Sequence, residues 1–209
     1  MSQLLSALPV GALVKDTGFT YLGTTPIFRV LEHGHDPVGT TTLEFRDIIS
    51  LKCFDAAEPL NSDSNRKYYG NNRYLYSNLL QWLNSDGAAN SWFSRKHVSD
   101  QSPDSAHVSA SGTTAFNPYD TEAGFLANFS NGLKTALMEV SKITAKNITP
   151  DGAGSESVSS KIFLLSTTEA GLANENSIAE GSVYSLYNNS QASTNRAKNL
   201  ANDAAKGIS

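Results

Sequence analysis

The stretch Tyr69-Gly-Asn-Asn-Arg-Tyr-Leu-Tyr-Ser-Asn-Leu-Leu-Gln-Trp-Leu-Asn84 carries the strongest structural signal in the chain. It holds four aromatics, an apolar helical run and a fringe of Asn within sixteen residues. Ser77 is a good helix N-cap, because its hydroxyl can accept a hydrogen bond from a first-turn N–H that has no partner inside the helix. Leu79, Leu80 and Leu83 then share one helical face with Tyr76, and Trp82 adds a large apolar body with one polar handle. Asn84-Ser-Asp-Gly87 ends the run, with Gly87 expected as the C-cap. This is the chemistry of a core element, not of a catalytic centre.

Working outward toward the N-terminus, Asp55 to Asn72 is polar and turn-rich and is expected to be a long loop. Before it, Leu13 to Lys15, Phe19 to Leu22, Ile27 to Glu32, Thr41 to Ile49 and Ile48 to Phe54 are expected as strands, punctuated by Gly18 and Gly23-Thr-Thr-Pro26. Toward the C-terminus, Trp92 and Phe93 are followed by a Ser-rich surface segment, Ser99 to Asn117. Asp120 is placed to cap a turn into Phe125, Leu126 and Phe129, and Ser130 to cap a helix through Leu133, Leu137 and Met138. Val140 to Ile148 and Lys161 to Leu165 are expected as strands, with Asp151 to Glu156 as a hairpin connection. Ser166-Thr-Thr-Glu169 has the spacing of a capping box. From Ala192 the texture changes, and Ala197, Leu200, Ala201, Ala204 and Ile208 form a small-residue helical stripe. The expected organisation is one α+β domain over 1–190 with short elements and long loops, followed by an Ala-rich helical segment over 191–209.

Composition narrows the function classes. Only 17% of the residues are charged, the net charge is −4, and Ser plus Asn make up roughly a fifth of the chain. Such a surface is neutral and hydrogen-bonding, which suits secreted, cell-surface and virion proteins. Scattered Lys and Arg in an acidic chain argue against nucleic-acid binding, which needs clustered positive charge. Met1 to Val10 lacks the basic start and apolar core of a signal peptide, and no apolar run approaches the roughly 20 residues of a membrane helix. Cys53 is the single cysteine, so an intrachain disulfide and a Cys-based zinc cluster are both impossible. Its apolar surroundings, Leu51-Lys-Cys-Phe54, point to a buried packing thiol.

Several landmarks carry a resemblance to a family of uncharacterised domains common in Firmicutes, their prophages and phages. They are Pro9-Val-Gly-Ala-Leu-Val14 through Phe28-Arg-Val-Leu31, Ile49-Ser-Leu-Lys-Cys-Phe-Asp55, Asn72 to Asn84 with its Ser-Asn-Leu-Leu-Gln-Trp-Leu-Asn core, Tyr119-Asp-Thr-Glu-Ala-Gly-Phe125, and Lys161 to Leu172. The resemblance implies a C-type-lectin-like α+β fold, shared with the formylglycine-generating enzymes. It also implies a place among phage tail and adhesion proteins and a role that is not enzymatic. Members continue past the equivalent of Tyr187 with a Trp-Leu-Arg-Thr-Pro-like stretch and a final Val-Arg-Pro-Ala-Leu-like strand. Neither follows Tyr187 here, so the expectation is either that the sequence is part of a longer protein or that the portion completing the lectin-like sheet is lacking. A single Cys also removes the paired-cysteine, copper-dependent oxidation of the formylglycine-generating relatives.

Candidate sites are few. Tyr68, Tyr69 and Trp92, on loop-like segments, either pack or present aromatic faces to sugar rings, and they are the candidate ligand-binding residues. His33 and His35 are the only close His pair, but a third metal ligand is not evident and they are expected as loop histidines. His97 and His107 carry no pattern. Asp55, Glu58, Asp63, Asn61 and Asn65, or alternatively Asp151 to Glu156, offer oxygen ligands for calcium but fail the EF-hand spacing. No cofactor is therefore expected beyond a weak calcium possibility. The stripe Ala197, Leu200, Ala201, Ala204 and Ile208 is the candidate oligomer interface, packing against a symmetry mate or against its own domain. The expected setting is a phage virion, in the tail or its fibres, with other virion proteins as partners and a host surface glycan as a possible ligand. The protein is expected to be made in the bacterial cytoplasm, to form a homo-oligomer and to insert into no membrane.

Overall fold

The computed structural model describes residues 4–108 and 117–201. It mixes short helices with two small antiparallel sheets, in agreement with the expected α+β class. The first sheet has the order β1 (Leu13–Lys15), β2 (Ile27–His33), β3 (Thr41–Phe45), and Val14 faces Phe28 while Arg29 faces Glu44. Leu31 is the extra residue of a β-bulge, since Val30 pairs with Leu43 and Glu32 with Thr42. Phe28 joins an aromatic main core, whereas Leu31 joins a second cluster with Tyr184, Leu186 and Tyr187.

Between the sheets lie α1 (Ser64–Tyr69), α2 (Asn78–Leu83) and α3 (Asn131–Ala136). Each is capped by the residue before it: Asp63 accepts from the N–H of Asn65 and Arg66, Ser77 from Leu80, and Ser130 from Leu133. The second sheet is a hairpin of β4 (Val140–Ala145) and β5 (Ser155–Ser160), joined through the single turn α4 (Ile148–Asp151). A last short helix, α5 (Ala192–Arg196), follows. Among the described residues no helix is long and apolar enough to cross a membrane.

The 69–84 stretch is the hub that its pattern suggests, and its amides matter as much as its aromatics. The N–H groups at the start of α2 are closed from three sides. Asn78 donates to Asp55 Oδ1 at 2.9 Å, Leu79 to the Phe54 carbonyl at 3.1 Å, and Leu80 to Ser77 Oγ at 3.1 Å. Asp55 Oδ2 also accepts the N–H of Asn71 at 2.7 Å. The Asn78 side chain, fully buried, accepts from Ala56 N at 2.8 Å and donates to the Gln101 carbonyl at 3.0 Å. At the other end, Asn84 accepts from Lys161 N and Ile162 N and donates to the Ile162 carbonyl. Gly70 has φ +81°, and a Cβ there would lie 2.6 Å from the Ala56 carbonyl oxygen, so a side chain is excluded.

The main core is aromatic. Phe19 stacks on Phe129 with centroids 4.3 Å apart, Trp82 packs on Phe125 at 4.9 Å, and Trp92 lies parallel to Tyr119 at 5.7 Å. The indole N–H of Trp82 donates to the Ala123 carbonyl and that of Trp92 to the Glu122 carbonyl, both at 3.0 Å. Two consecutive carbonyls thus anchor both tryptophans.

Several expected elements differ. Phe19 to Leu22 is a turn closed by Tyr21 and Thr24, with Leu22 and Gly23 both at positive φ, so it is not a strand. β3 stops at Phe45, and the segment to Phe54 is irregular except for a parallel bridge between Ile48 and Leu200. The polar Asp55 to Asn72 loop contains α1, and Asn84, not Gly87, is the C-cap of α2. The last C-terminal strand lies at Ser155–Ser160, while Lys161 to Leu165 is irregular. The Ser166–Glu169 capping box forms reciprocally, at 3.0 and 3.1 Å, but closes only a turn. The stripe loses its helical spacing: α5 ends at Arg196, and Leu200 sits in the bridge to Ile48, with Ala201 N donating to the Ile48 carbonyl. Ala204 and Ile208 lie outside the described residues.

Replacing Asn78 with Ala would leave Ala56 N–H and the Gln101 carbonyl without their buried partners. We expect a loss of about 3 kcal/mol in urea-unfolding free energy, with an unchanged denaturant slope. A loss below about 1 kcal/mol would show that the amide is not a keystone.

Candidate functional site

Tyr68 and Tyr69 lie on α1 and are 68% and 81% exposed, whereas Trp92 is 6% exposed. The parallel contact with Tyr119 and the bond to Glu122 commit the Trp92 ring to the core, so it presents no face for a sugar. The structure therefore keeps two of the three candidate aromatics together on the surface and removes the third.

The base of α1 is held by ion pairs that the sequence did not reveal. Arg66, buried, reaches Asp151 at 2.5 Å, and Arg73 reaches Glu156 at 2.7 Å. Asn72 and Asn147 exchange side-chain hydrogen bonds at 2.6 and 2.8 Å beside this contact. Burial alone would raise the Asp151 carboxyl, but hydrogen bonds from Arg66 and Asn147 hold it below the usual carboxylate range. Asp151 and Glu156, expected as a possible calcium loop, are thus spent on arginines. The Tyr68 and Tyr69 rings are exposed at the end of α1, with the Lys67 ammonium 5.9 Å from the centre of the Tyr68 ring.

The ionisable groups elsewhere are mostly closed in pairs. His33 lies between Thr41 Oγ1 at 2.9 Å and the Leu8 carbonyl at 2.8 Å, while His35 contacts Glu32 at 2.9 Å and stacks on Tyr184. The two histidines do not converge. Lys142 is buried among Asp36, Glu169 and the Tyr184 hydroxyl, and its ammonium lies 4.4 Å from the centre of the Phe163 ring. Glu44 is shared by Arg29, Lys198 and the Tyr187 hydroxyl. Burial and the adjacent Asp55 push the Cys53 thiol up to about 12, which keeps it protonated and unreactive at neutral pH.

Two features remain uncommitted. One is an apolar cleft of about 690 Å³ between β3 and the segments 133–140 and 161–165, lined by Phe45, Ile48, Leu137, Val140, Ile162 and Phe163 among others. The other is a trio of buried ligand atoms from Glu58, His97 and Asp100, the one group of His and carboxylates among the described residues close enough to share a metal ion. Glu58 was legible as an oxygen donor in a polar loop. His97 was not legible, because the turn that brings it to Glu58 joins segments almost forty residues apart in the chain. The neighbouring Asp63, Asn61 and Asn65 do not complete a calcium loop: Asp63 caps α1, and Asn61 binds Glu58 and the Asp63 N–H.

A family model described as a domain of unknown function (DUF6273) matches residues 39–207. The chain belongs to the DUF6273 family. The match takes in the 69–84 hub, α1 and the Glu58, His97, Asp100 trio, while β1 and β2 precede it. No curated protein and no solved structure matches the chain.

Asp55 supplies a pH test of this architecture. Burial pushes its carboxyl up to about 8, against the two backbone N–H donors, and the Glu58 and Asp100 carboxylates add to the rise. Because the folded value lies above the unfolded one, its contribution to stability is complete below the ordinary carboxyl value and drains away as pH rises toward about 8. Urea-unfolding free energy in metal-free buffer should therefore fall on the order of 1 kcal/mol per pH unit between about pH 5 and pH 8. The slope should flatten in Asp55→Asn, and an identical slope in that variant would refute the assignment.

Proposed function

We propose that this DUF6273 chain is a non-enzymatic adhesion and assembly domain of a phage particle, associated with the tail or its fibres, on a C-type-lectin-like scaffold. The observation that carries the reading is the exposed Tyr68–Tyr69 pair on a helix anchored by the Arg66–Asp151 ion pair, with the Arg73–Glu156 pair on the segment that follows it. Rigid, amphipathic aromatics give large contact area at low entropic cost, which is what attachment surfaces use. The low-charge, Ser- and Asn-rich composition and the resemblance in the 72–84 core support the particle setting. The protonated Cys53 and the internally engaged His33, His35 and Lys142 support a role in holding a partner over one in turning over a substrate.

A second reading rests on the same pair. Exposed aromatic faces match a polysaccharide, whose pyranose rings stack on them. On this reading the domain is a module for host cell-wall glycans.

Mass spectrometry of purified particles should find the chain, and its absence from them would sink the virion reading. In the isolated protein, Tyr68→Ala/Tyr69→Ala should leave the unfolding free energy within about 0.5 kcal/mol, as for surface positions, while host-cell binding drops at least roughly tenfold. Equal loss of binding to purified cell-wall polysaccharide selects the glycan reading. Loss confined to whole cells selects a protein receptor. Unchanged binding removes the tyrosines from either.

A further inference from the structure

Glu58 and the His97–Asp100 turn meet in a largely buried side-chain cluster beside Asp55 and Asn78. The Glu58 backbone is pinned by its N–H to the Arg66 carbonyl at 3.1 Å, and its Oε2 accepts from the Asn61 amide. Asp100 N donates to the His97 carbonyl at 3.2 Å, which closes the turn and brings the two side chains to one side. Asp100 Oδ2 accepts from Lys96 N at 2.7 Å, and Asn78 Nδ2 approaches Oδ1 at 3.4 Å. The His97 ring packs against Tyr76 with centroids 5.0 Å apart, which fixes its direction.

Glu58 and Asp100 are fully buried, and a ligand atom from each of the three residues lies within 4.8 Å of the others. Glu58 Oε1 and His97 Nε2 form an ion-pair contact at 2.9 Å, yet both atoms are buried and neither has a hydrogen bond of proper geometry, to the other or to any third group. Two ligand atoms this close with no directional bond between them lie within reach of one ion. An unsatisfied buried carboxylate oxygen is costly, and a cation there would satisfy it together with the imidazole nitrogen. Charge points the same way: two carboxylates face at most one imidazolium. Of the arginines nearby, Arg66 is engaged with Asp151, while Arg95 donates to the Asp100 carbonyl and offsets only part of the negative charge. Two donors each about 2.1 Å from an ion and 2.9 Å apart subtend an angle of about 90° at it. That is tighter than tetrahedral and suits a five- or six-coordinate ion, with the partly exposed His97 on the solvent side of the site.

We propose that Glu58, His97 and Asp100 bind one divalent transition-metal ion of the zinc or manganese class, which staples the 55–61 loop to the 95–101 loop. The imidazole selects this class over calcium, which prefers oxygen donors alone. The site stands independently of the adhesion reading, because none of its residues belongs to the α1 surface.

The test uses the untagged full-length chain, stripped with EDTA and returned to metal-free buffer. Zinc chloride or manganese chloride should bind with one equivalent by calorimetry and raise the melting temperature by about 5 °C at a hundredfold excess over Kd. His97→Ala, at the partly exposed edge of the cluster, should weaken binding at least roughly tenfold while the metal-free melting temperature stays near that of the metal-free parent. Zinc added to the parent protein should shift one of its four imidazoles in the NMR spectrum, His97, which decides the matter even if a variant fails to fold. The proposal is overturned if neither ion changes the melting temperature, if binding survives undiminished in His97→Ala, if calcium alone binds, or if the His97 resonance does not move.

Discussion

Asp55 receives the N–H of Asn78 on one carboxylate oxygen and that of Asn71 on the other, while the Asn78 side chain reaches back to Ala56 N and across to the Gln101 carbonyl. This buried polar knot ties the loop before α1, the loop before α2 and the 95–101 turn to one point. A chain with such short helices and strands cannot rely on long hydrogen-bonded ladders, so its irregular backbone needs side chains as partners. Asn is well suited, since its amide both donates and accepts. Asn84 repeats the device at the other end of α2, gripping Lys161 and Ile162. Without these amides the loops would carry unpaired buried groups, each costing about 1–3 kcal/mol.

The aromatic core and the knot depend on each other. The Trp82 and Trp92 indoles donate to adjacent carbonyls of the 122–123 backbone, which places Phe125 and Phe129 against Phe19 and Phe28. Lys52, buried over the Trp82 and Tyr119 rings and paired with Glu122, joins the same region. Burial lowers its pKa, while Glu122 opposes that shift. Most charge inside the molecule is neutralised in such pairs. The Glu58, His97 and Asp100 cluster differs, because two buried carboxyl groups there share a single imidazole, and the Glu58–His97 contact lacks hydrogen-bond geometry.

Legibility followed the range of the interactions involved. Caps and local periodicity act within one turn, and Ser77 and Ser130 cap helices as their spacing indicates, whereas the Ser166–Glu169 box forms its two bonds but opens only a turn and no helix. β5 was missed because Ser-Glu-Ser-Val-Ser-Ser has one β-branched residue, and its strand is made by pairing with β4, not by its own side chains. α1 was hidden in a polar stretch whose only helical signal was Asp63 as a cap. The Ala-rich stripe suggested a helix by composition, but the Ile48–Leu200 bridge pulls its described part into an extended path. Tertiary pairing there overrode a weak local propensity.

The sequence by itself determined the α+β class, the 69–84 hub with Trp82 in the core, the starts of α2 and α3 and the absence of an intrachain disulfide, since these rest on neighbouring residues or on counting. Only the tertiary structure decided that Trp92 is core while Tyr68 and Tyr69 are surface, that Asp151 and Glu156 serve arginines, and that His97 meets Glu58. Each of those outcomes joins residues 20 or more positions apart through loops of irregular path. Periodicity says nothing about where such loops meet, because their course is set by which buried polar groups find partners.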